Sequence, residues 1–308
     1  DCSNDRFLRF EPGGDSAVEL LYTWDLQGNL TGVAVNVPCP SQVFELHRFL
    51  SADYWGFVRG DVASALGEIY ILPLCGAAGD LSPIDLVKIS KSNQQELLLW
   101  GGQAQEVQRN FDMVRICEDL AARITEAVMR GYRQAKTEID EFPVLKHECL
   151  HLQLPLRFVS KEAYETSLAE VNRIQSEFSP EHRMTTQDVV CAFEPQGDVL
   201  RWRMQQETSV FPCVSHIVRI GAVALATNPF ELFSEFAQRM KARALPEQLF
   251  VVQLSNGIGG YLPSRPAVAG GSYSSKPAST FCGPEGGDLL VEETLRAVNR
   301  MFEEQPGC

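Results

Sequence analysis

The chain has 308 residues, of which 44% are hydrophobic and 22% charged, a composition typical of a globular protein with a sizeable core. A formal net charge of −13 and an isoelectric point near 4.9 exclude a nucleic-acid partner and disfavour an anionic membrane surface, because both would repel the protein. No apolar run approaches the roughly 20 residues of a membrane span, and no leader-like segment opens the chain, so neither a transmembrane helix nor a secretory signal is expected.

The first part of the chain predicts a strand–helix–strand unit. Short strands are expected at residues 6–10, 18–22 and 30–37. Ser51 and Asp53 offer a start for a helix at 54–66, and an apolar run of strand length follows at 69–74. This order of elements suggests a βαβ crossover.

The rest of the chain continues to mix helices and strands. The expected elements are a long loop at 90–102, helices at 111–136 and 161–178, a strictly alternating strand at 152–158, a β pair at 214–227 that turns at Gly221, a helix at 231–243, a strand at 249–254 and a closing helix at 288–302. The sequence therefore predicts one large α/β domain, with a mixed β-sheet core and surrounding helices.

Cysteine usage indicates the compartment. The nine cysteines are dispersed and form no CxxC pair. An odd, scattered set in a chain of this length is typical of reduced thiols, so a cytoplasmic location is expected.

The segment His147-Glu148-Cys149-Leu150-His151 matches the HExxH zinc motif formally. That motif works on a helix, where positions i and i+4 share one face and both imidazoles reach one metal. Strict alternation begins immediately after it, which predicts a strand, and strand residues four apart lie roughly 13 Å from each other. We therefore do not interpret this segment as a shared zinc site.

Three other positions could carry chemistry. Ser82 precedes Pro83, in a loop that follows a predicted strand, where α/β proteins bind ligands; it is either a nucleophile in need of activation or an ordinary loop serine. Glu231 lies where a strand gives way to a helix, and it could coordinate a metal or simply favour the helix N-terminus. Tyr261, on a Gly-rich loop, is either a ligand or an ordinary loop aromatic.

The order of these segments resembles the catalytic domain of the neutral/alkaline ceramidase family, including its bacterial-type members. The matching segments are Gly-Asp-Leu-Ser-Pro at 79–83, Pro-Phe-Glu at 229–231, an asparagine-to-tyrosine loop at 256–261, a second tyrosine twelve positions later at 273, and Ser-Thr-Phe-Cys-Gly-Pro at 279–284. The resemblance runs from about residue 6 to the C-terminus. It implies that residues 1–308 are a catalytic domain that lacks its N-terminal part and the family's immunoglobulin-like C-terminal domain.

The resemblance also implies site residues and a reaction. These enzymes are zinc-dependent amidases that cleave N-acyl sphingosine. By analogy, Glu231 and Tyr261 are zinc ligands, Ser82 takes part in amide cleavage, and Tyr273 lies near the reacting carbonyl. A small-molecule or lipid amide is the implied substrate, and zinc the implied cofactor.

The chain departs from the family pattern at the zinc histidines. Nothing corresponds to the upstream His-Thr-His segment, and Cys39 stands within one position of the second family histidine. Cys39 is either a substitute ligand, since thiolates bind zinc well, or a small buried residue. His47 lies past the match and is a weaker substitute. Two alternatives therefore stay open: a ceramidase-fold protein that is metal-free or non-catalytic, and a hydrolase of a different amide or ester.

In physical terms, zinc would act as a Lewis acid and lower the pKa of its bound water from about 15.7 to about 7. A zinc-bound hydroxide could then serve as the base for Ser82. Tyr273 would donate a hydrogen bond to the developing oxyanion, an interaction worth roughly 3 kcal/mol.

Overall fold

The first sheet is built around a parallel crossover. In the computed structural model, which describes residues 14–45, 47–84, 113–177 and 185–303, this sheet contains β1 (Glu19–Trp24), β2 (Leu30–Val37) and β3 (Tyr70–Cys75) in that order. β1 and β2 form an antiparallel hairpin, and α1 (Tyr54–Leu66) returns the chain so that β3 pairs parallel to β2. The predicted βαβ unit is confirmed.

The second sheet combines antiparallel and parallel pairing. Its strands are β4 (Leu145–Pro155), β5 (Val210–Ile220), β6 (Val223–Thr227) and β8 (Gln248–Val252), in the order β4-β5-β6-β8. β4, β5 and β6 are antiparallel neighbours, whereas β8 runs parallel to β6. Two short strands, β7 (Glu231–Leu232) and β9 (Tyr261–Leu262), form a separate parallel pair. The predicted mixed α/β class is confirmed.

Helices cover the sheets and enclose two apolar clusters. The remaining helices are α2 (Met113–Ala135), α3 (Lys161–Ser176), α4 (Thr186–Glu207), α5 (Ser234–Lys241), α6 (Arg265–Gly270) and α7 (Pro284–Phe302), with a 3-10 turn at Tyr273–Ser275. One cluster lies between the first sheet and α1 with α2, where Val35, Val58 and Val128 are fully buried. The other lies between the second sheet and α5 with α7, around Ile217 and Leu290.

The two sheets are joined where β3 and β8 end. The backbone N–H of Gln253 donates to the carbonyl of Cys75 at 3.0 Å. The buried amide of Asn36, on β2, approaches the carbonyl of Val251, on β8, at 3.5 Å. Both parallel pairs therefore present their carboxyl ends to the same region of the molecule.

The helix predicted at 231–243 is wrong at its start. Glu231 is in strand β7, because its N–H donates to the carbonyl of Gly260 at 2.9 Å. The helix begins at Ser234, whose N–H donates to the Asp80 carboxylate at 2.7 Å. A partner distant in the chain therefore decides where this helix starts.

Other differences concern element length and one missing helix. α4 was not predicted; it contains Pro195, which normally ends a helix, and it begins with a capping box in which Thr185 and Asp188 bond each other. Strand β4 extends seven residues further towards the N-terminus than the predicted 152–158. The strand predicted at 6–10 and the loop predicted at 90–102 lie outside the described residues.

Two further observations concern the described residues only. None of their seven cysteines is in a disulfide bond, and the cytoplasmic location expected from the cysteine pattern stays a prediction. None of their helices combines the length and the apolar character that crossing a membrane requires.

Candidate active site

The candidate site lies beside the joint of the two sheets, where short strands β7 and β9 run parallel. In their register, Glu231 is directly opposite Tyr261. Residues directly opposite in a pair project from the same face, so the carboxylate and the phenol are held side by side. Ligand sites in α/β proteins commonly occupy this position, beyond the carboxyl ends of parallel strands.

Three of the residues implied by the resemblance lie together. The Tyr261 hydroxyl lies 2.8 Å from the Tyr273 hydroxyl, and the side chain of Glu231 is close enough to affect the pKa of Tyr261. The two tyrosine rings meet edge to face, with centroids 5.7 Å apart. Burial raises the pKa of Tyr261, and the bonds to Tyr273 and Glu231 raise it further, so this phenol is held protonated.

Tyr273 is the exposed member of this group, with 65% of its surface accessible. It follows α6, which ends at Gly271 in the left-handed conformation (φ 70°), and it opens the 3-10 turn. Its outer edge is therefore open to a ligand, whereas its hydroxyl is anchored on Tyr261.

Helix α4 holds the segment that follows Tyr273. Gly197 packs so closely against this segment that a Cβ there would lie 2.2 Å from the Cα of Ala278. Arg201 donates to the carbonyl of Thr280 at 2.6 Å, and Lys276 pairs with Glu194 at 2.5 Å. The helix that the sequence analysis missed thus fixes one wall of the site.

The Ser82 loop packs against the strand that carries Glu231. The N–H of Gly79 donates to the carbonyl of Leu232 at 2.8 Å, and a Cβ at Gly79 would lie 2.3 Å from the carbonyl oxygen of Glu231. Asp80 fixes the loop to α5 by accepting bonds from the N–H and hydroxyl of Ser234, at 2.7 and 2.6 Å. Burial raises the pKa of Asp80, although the bonds from Ser234 oppose this shift.

Ser82 itself is exposed, and its hydroxyl oxygen accepts a local bond from the N–H of Ile84 at 3.2 Å. Three residues of chain span at most about 11 Å, so its backbone stays within that distance of Gly79. The structure thus brings Glu231, Tyr261 and Tyr273 together and places Ser82 on the adjoining loop.

Two residues that the sequence analysis missed support this arrangement. Gln253 is buried, and its side-chain oxygen accepts bonds from the N–H groups of Leu232 and Ala78 at 3.0 and 3.1 Å. Its amide nitrogen lies 3.3 Å from the sulfur of Cys75. Burial raises the pKa of Cys75, the bond from Gln253 opposes this, and the charge of Glu231 adds to it. Their positions at the carboxyl ends of β8 and β3 were the only signal in the sequence.

Cys39 lies beside Cys75 and Tyr54. Its carbonyl accepts bonds from the Tyr54 hydroxyl at 2.7 Å and from the Cys75 thiol at 3.8 Å. Burial, with a smaller contribution from Cys75, raises the pKa of the Cys39 thiol to about 11. The charge of Glu231 contributes to the raised pKa of Cys75, whereas Cys75 and Asp53 are the negative groups that raise the pKa of Cys39.

The zinc site that the resemblance implies is not complete among the described residues. A carboxylate and a phenol side by side are both suitable oxygen ligands, but a catalytic zinc needs three protein ligands. In the described ranges no three His, Cys, Asp or Glu side chains are arranged to hold a metal ion. His47 lies against the rings of Phe44 and Phe49. The donors described here do not complete a zinc site.

The HExxH segment lies on strand β4, which begins before the predicted start at residue 152 and includes the whole motif. His147 and His151 are exposed on the outer face of the second sheet, and Glu148 points to the other face, where it pairs with Arg300 at 2.5 Å. The motif therefore does not form the zinc site that its letters suggest.

Comparisons with known proteins identify the fold. No protein-family model matches the chain, and no curated protein is similar enough in sequence to match it. Among solved structures, a ceramidase described as complexed with C2 covers 100% of the chain at 14% identity with a TM-score of 0.62. Neutral ceramidase from Pseudomonas aeruginosa covers 100% at 15% identity with a TM-score of 0.59. The chain spans about half of these proteins, 52% and 50% of their lengths.

Proposed function

We propose that this protein, which has a ceramidase-like fold, hydrolyses N-acyl amides whose acyl chain is like that of a ceramide. Glu231, Tyr261 and Tyr273 form its proposed reaction centre. The observation that carries the proposal is the grouping of these side chains: Glu231 is opposite Tyr261 in the β7–β9 register, and the Tyr261 hydroxyl lies 2.8 Å from that of Tyr273. The similarity of the whole chain to two ceramidase structures supports the choice of reaction class.

The proton arrangement in this chain gives Tyr273 a role. In the proposal, Tyr261 directs its single proton to the neighbouring Glu231 carboxylate, which when ionised can only accept, and Tyr261 therefore accepts from Tyr273. When a substrate binds, the Tyr273 hydroxyl can turn from Tyr261 to the substrate carbonyl. That exchange gives up a neutral hydrogen bond worth about 1 kcal/mol. Bonds to an ionised acceptor are roughly twice as strong, so the exchange favours the oxyanion over the ground-state carbonyl.

Ser82 is the proposed nucleophile. Its oxygen accepts from Ile84, which leaves the hydroxyl proton free for transfer to a base during attack on the amide carbon. Attack forms the C–O bond, and the C–N bond breaks as the leaving amine takes up a proton. Water then hydrolyses the ester and releases the fatty acid.

Zinc dependence is part of the proposal. Glu231 and Tyr261 would supply two ligands, and the remaining ligands would come from outside the described residues. A bound zinc would act as a Lewis acid on the carbonyl oxygen and on water. Metal analysis of the purified chain tests this part separately from the reaction class.

The test is hydrolysis of N-acyl sphingosine carrying a fluorescent acyl chain, with and without added Zn²⁺. We expect Tyr273→Phe to lower kcat by about 10²–10³-fold, the cost of one lost oxyanion donor. Tyr70→Phe is the matched control, since Tyr70 is 86% exposed on β3, outside the site, and should leave kcat unchanged.

Three results would overturn parts of the proposal. If the zinc-supplemented chain cleaves no N-acyl amide in a panel of chain lengths, the assignment to N-acyl amides is wrong, which leaves a hydrolase of a different amide or ester and a non-catalytic protein of this fold. Equal activity of Tyr273→Phe and Tyr70→Phe would show that Tyr273 does not stabilise the oxyanion. Full activity of Ser82→Ala would show that Ser82 is not the nucleophile.

A further inference from the structure

The outer face of the β4–β5 ladder carries a group of metal-ligating side chains that the proposed reaction does not use. Because alternate residues of a strand point the same way, His147, Cys149 and His151 share this face of β4. His216 on β5 joins them, since its register partner is Cys149. Three imidazoles and a thiol therefore occupy one face of two neighbouring strands.

Two of these imidazoles are already in contact. The Nε2 atom of His147 lies 3.0 Å from the Nδ1 atom of His216, and the ring planes are within 14° of each other. The two residues are diagonal neighbours in the ladder, a separation that aromatic side chains can bridge. Two nitrogens on one tetrahedral zinc, each about 2.0–2.1 Å from the metal, stand about 3.3 Å apart. The pair therefore needs only a small ring movement for both nitrogens to face one ion.

The geometry points to a site for a divalent first-row transition-metal cation, such as Ni²⁺, Cu²⁺ or Zn²⁺, formed by the imidazoles of His147 and His216. Imidazole suits these metals, and their affinity rises from Ni²⁺ to Cu²⁺ and falls again at Zn²⁺. No three His, Cys, Asp or Glu side chains converge within the described ranges, so solvent completes the coordination of this two-ligand site.

His151 is excluded from the site by its position. It lies roughly 13 Å from His147 along β4, beyond shared ligation, and its Nε2 atom is directed to the Cys149 thiol at 3.6 Å. The first histidine of the HExxH segment, His147, therefore pairs with His216, which lies 69 positions away in the chain, and not with His151.

The test is calorimetric titration of the tag-free chain with NiCl₂, together with the shift in Tm that Ni²⁺ produces. The two ligands come from different strands and are adjacent only in the folded state. Ni²⁺ therefore binds the folded state in preference to the unfolded state, and this raises the Tm. We expect His147→Ala and His216→Ala each to weaken Ni²⁺ binding by at least about tenfold and to abolish the Tm rise.

His151→Ala is the matched control, because it removes a histidine from the same face of the same strand. It should bind Ni²⁺ as the parent does. Glu231→Gln alters only the proposed reaction centre, so the Ni²⁺ binding that His147→Ala removes should persist in it. Parent-like Ni²⁺ binding by His147→Ala or His216→Ala would overturn the proposal. An equal loss in His151→Ala would overturn it too. Unchanged Tm values of the metal-free variants show that folding is intact.

Discussion

The contact between the Ser82 loop and the Glu231 strand leaves no space for a side chain at Gly79. In Gly79→Ala, the new Cβ would lie 2.3 Å from the carbonyl oxygen of Glu231 and 2.7 Å from its carbonyl carbon, whereas ordinary contacts begin near 3.4 Å. Both neighbours are backbone atoms, so the loop and β7 must separate by about 1 Å, a displacement that can cost 10²-fold in rate. Overpacking of this kind costs about 1–3 kcal/mol.

The assay combines thermal unfolding with N-acyl amide hydrolysis. At about 2–4 °C per kcal/mol, we expect Gly79→Ala to lower the Tm by several degrees. Gly60→Ala is the matched control: Gly60 is exposed within α1 with nothing near its Cβ position, so alanine there should stabilise by about 0.5–1 kcal/mol. If Gly79→Ala retains the parent Tm and activity, the close packing of this loop against β7 is refuted.

Three further predictions follow from buried polar groups. Burial raises the pKa of Tyr22, Tyr54 and Tyr261, so the stability that their protonated forms contribute is lost as the pH rises above about 10. Tyr261→Phe should therefore make the decline of the denaturant midpoint with pH shallower. An unchanged slope of midpoint against pH would contradict this prediction. Gln253→Leu leaves two buried N–H groups without an acceptor, which should lower the free energy of unfolding by about 1–3 kcal/mol for each group. Gln153→Leu, on the exposed face, is the control and should change the free energy of unfolding in urea by no more than about 0.5 kcal/mol. Because burial raises the pKa of Asp80, the contribution of this residue to stability falls as the pH rises from about 4. Asp80→Asn should flatten this dependence of stability on pH without lowering the Tm at pH 7. A large decrease in the Tm of Asp80→Asn at pH 7 would refute the prediction.

Elements with a clear hydrophobic period could be predicted from the sequence alone. Strand β2 and helix α1 have the predicted bounds, because apolar patterning and caps act locally. Helix α4 was hidden by Pro195, and the start of α5 depends on Asp80, which lies 154 positions away. Local patterns carry no information about such a partner.

The site was less predictable than the fold. Glu231 and Tyr261 could be singled out only through the resemblance, since each also has an ordinary structural explanation. Gln253 escaped notice because its role exists only when β3, β7 and the end of β8 converge. Convergence of distant segments is a property of the tertiary structure, and a single sequence does not display it.

The joint at Gln253 and Cys75 connects residues separated by 178 positions in the chain. Closing so long a loop costs chain entropy before any contact repays it, so such contacts form slowly. The proposed reaction centre is therefore expected to form late in folding. Intermediates that contain only one of the two sheets would hold native-like secondary structure but lack a competent centre, and regain of enzymatic activity should lag behind recovery of the circular dichroism signal.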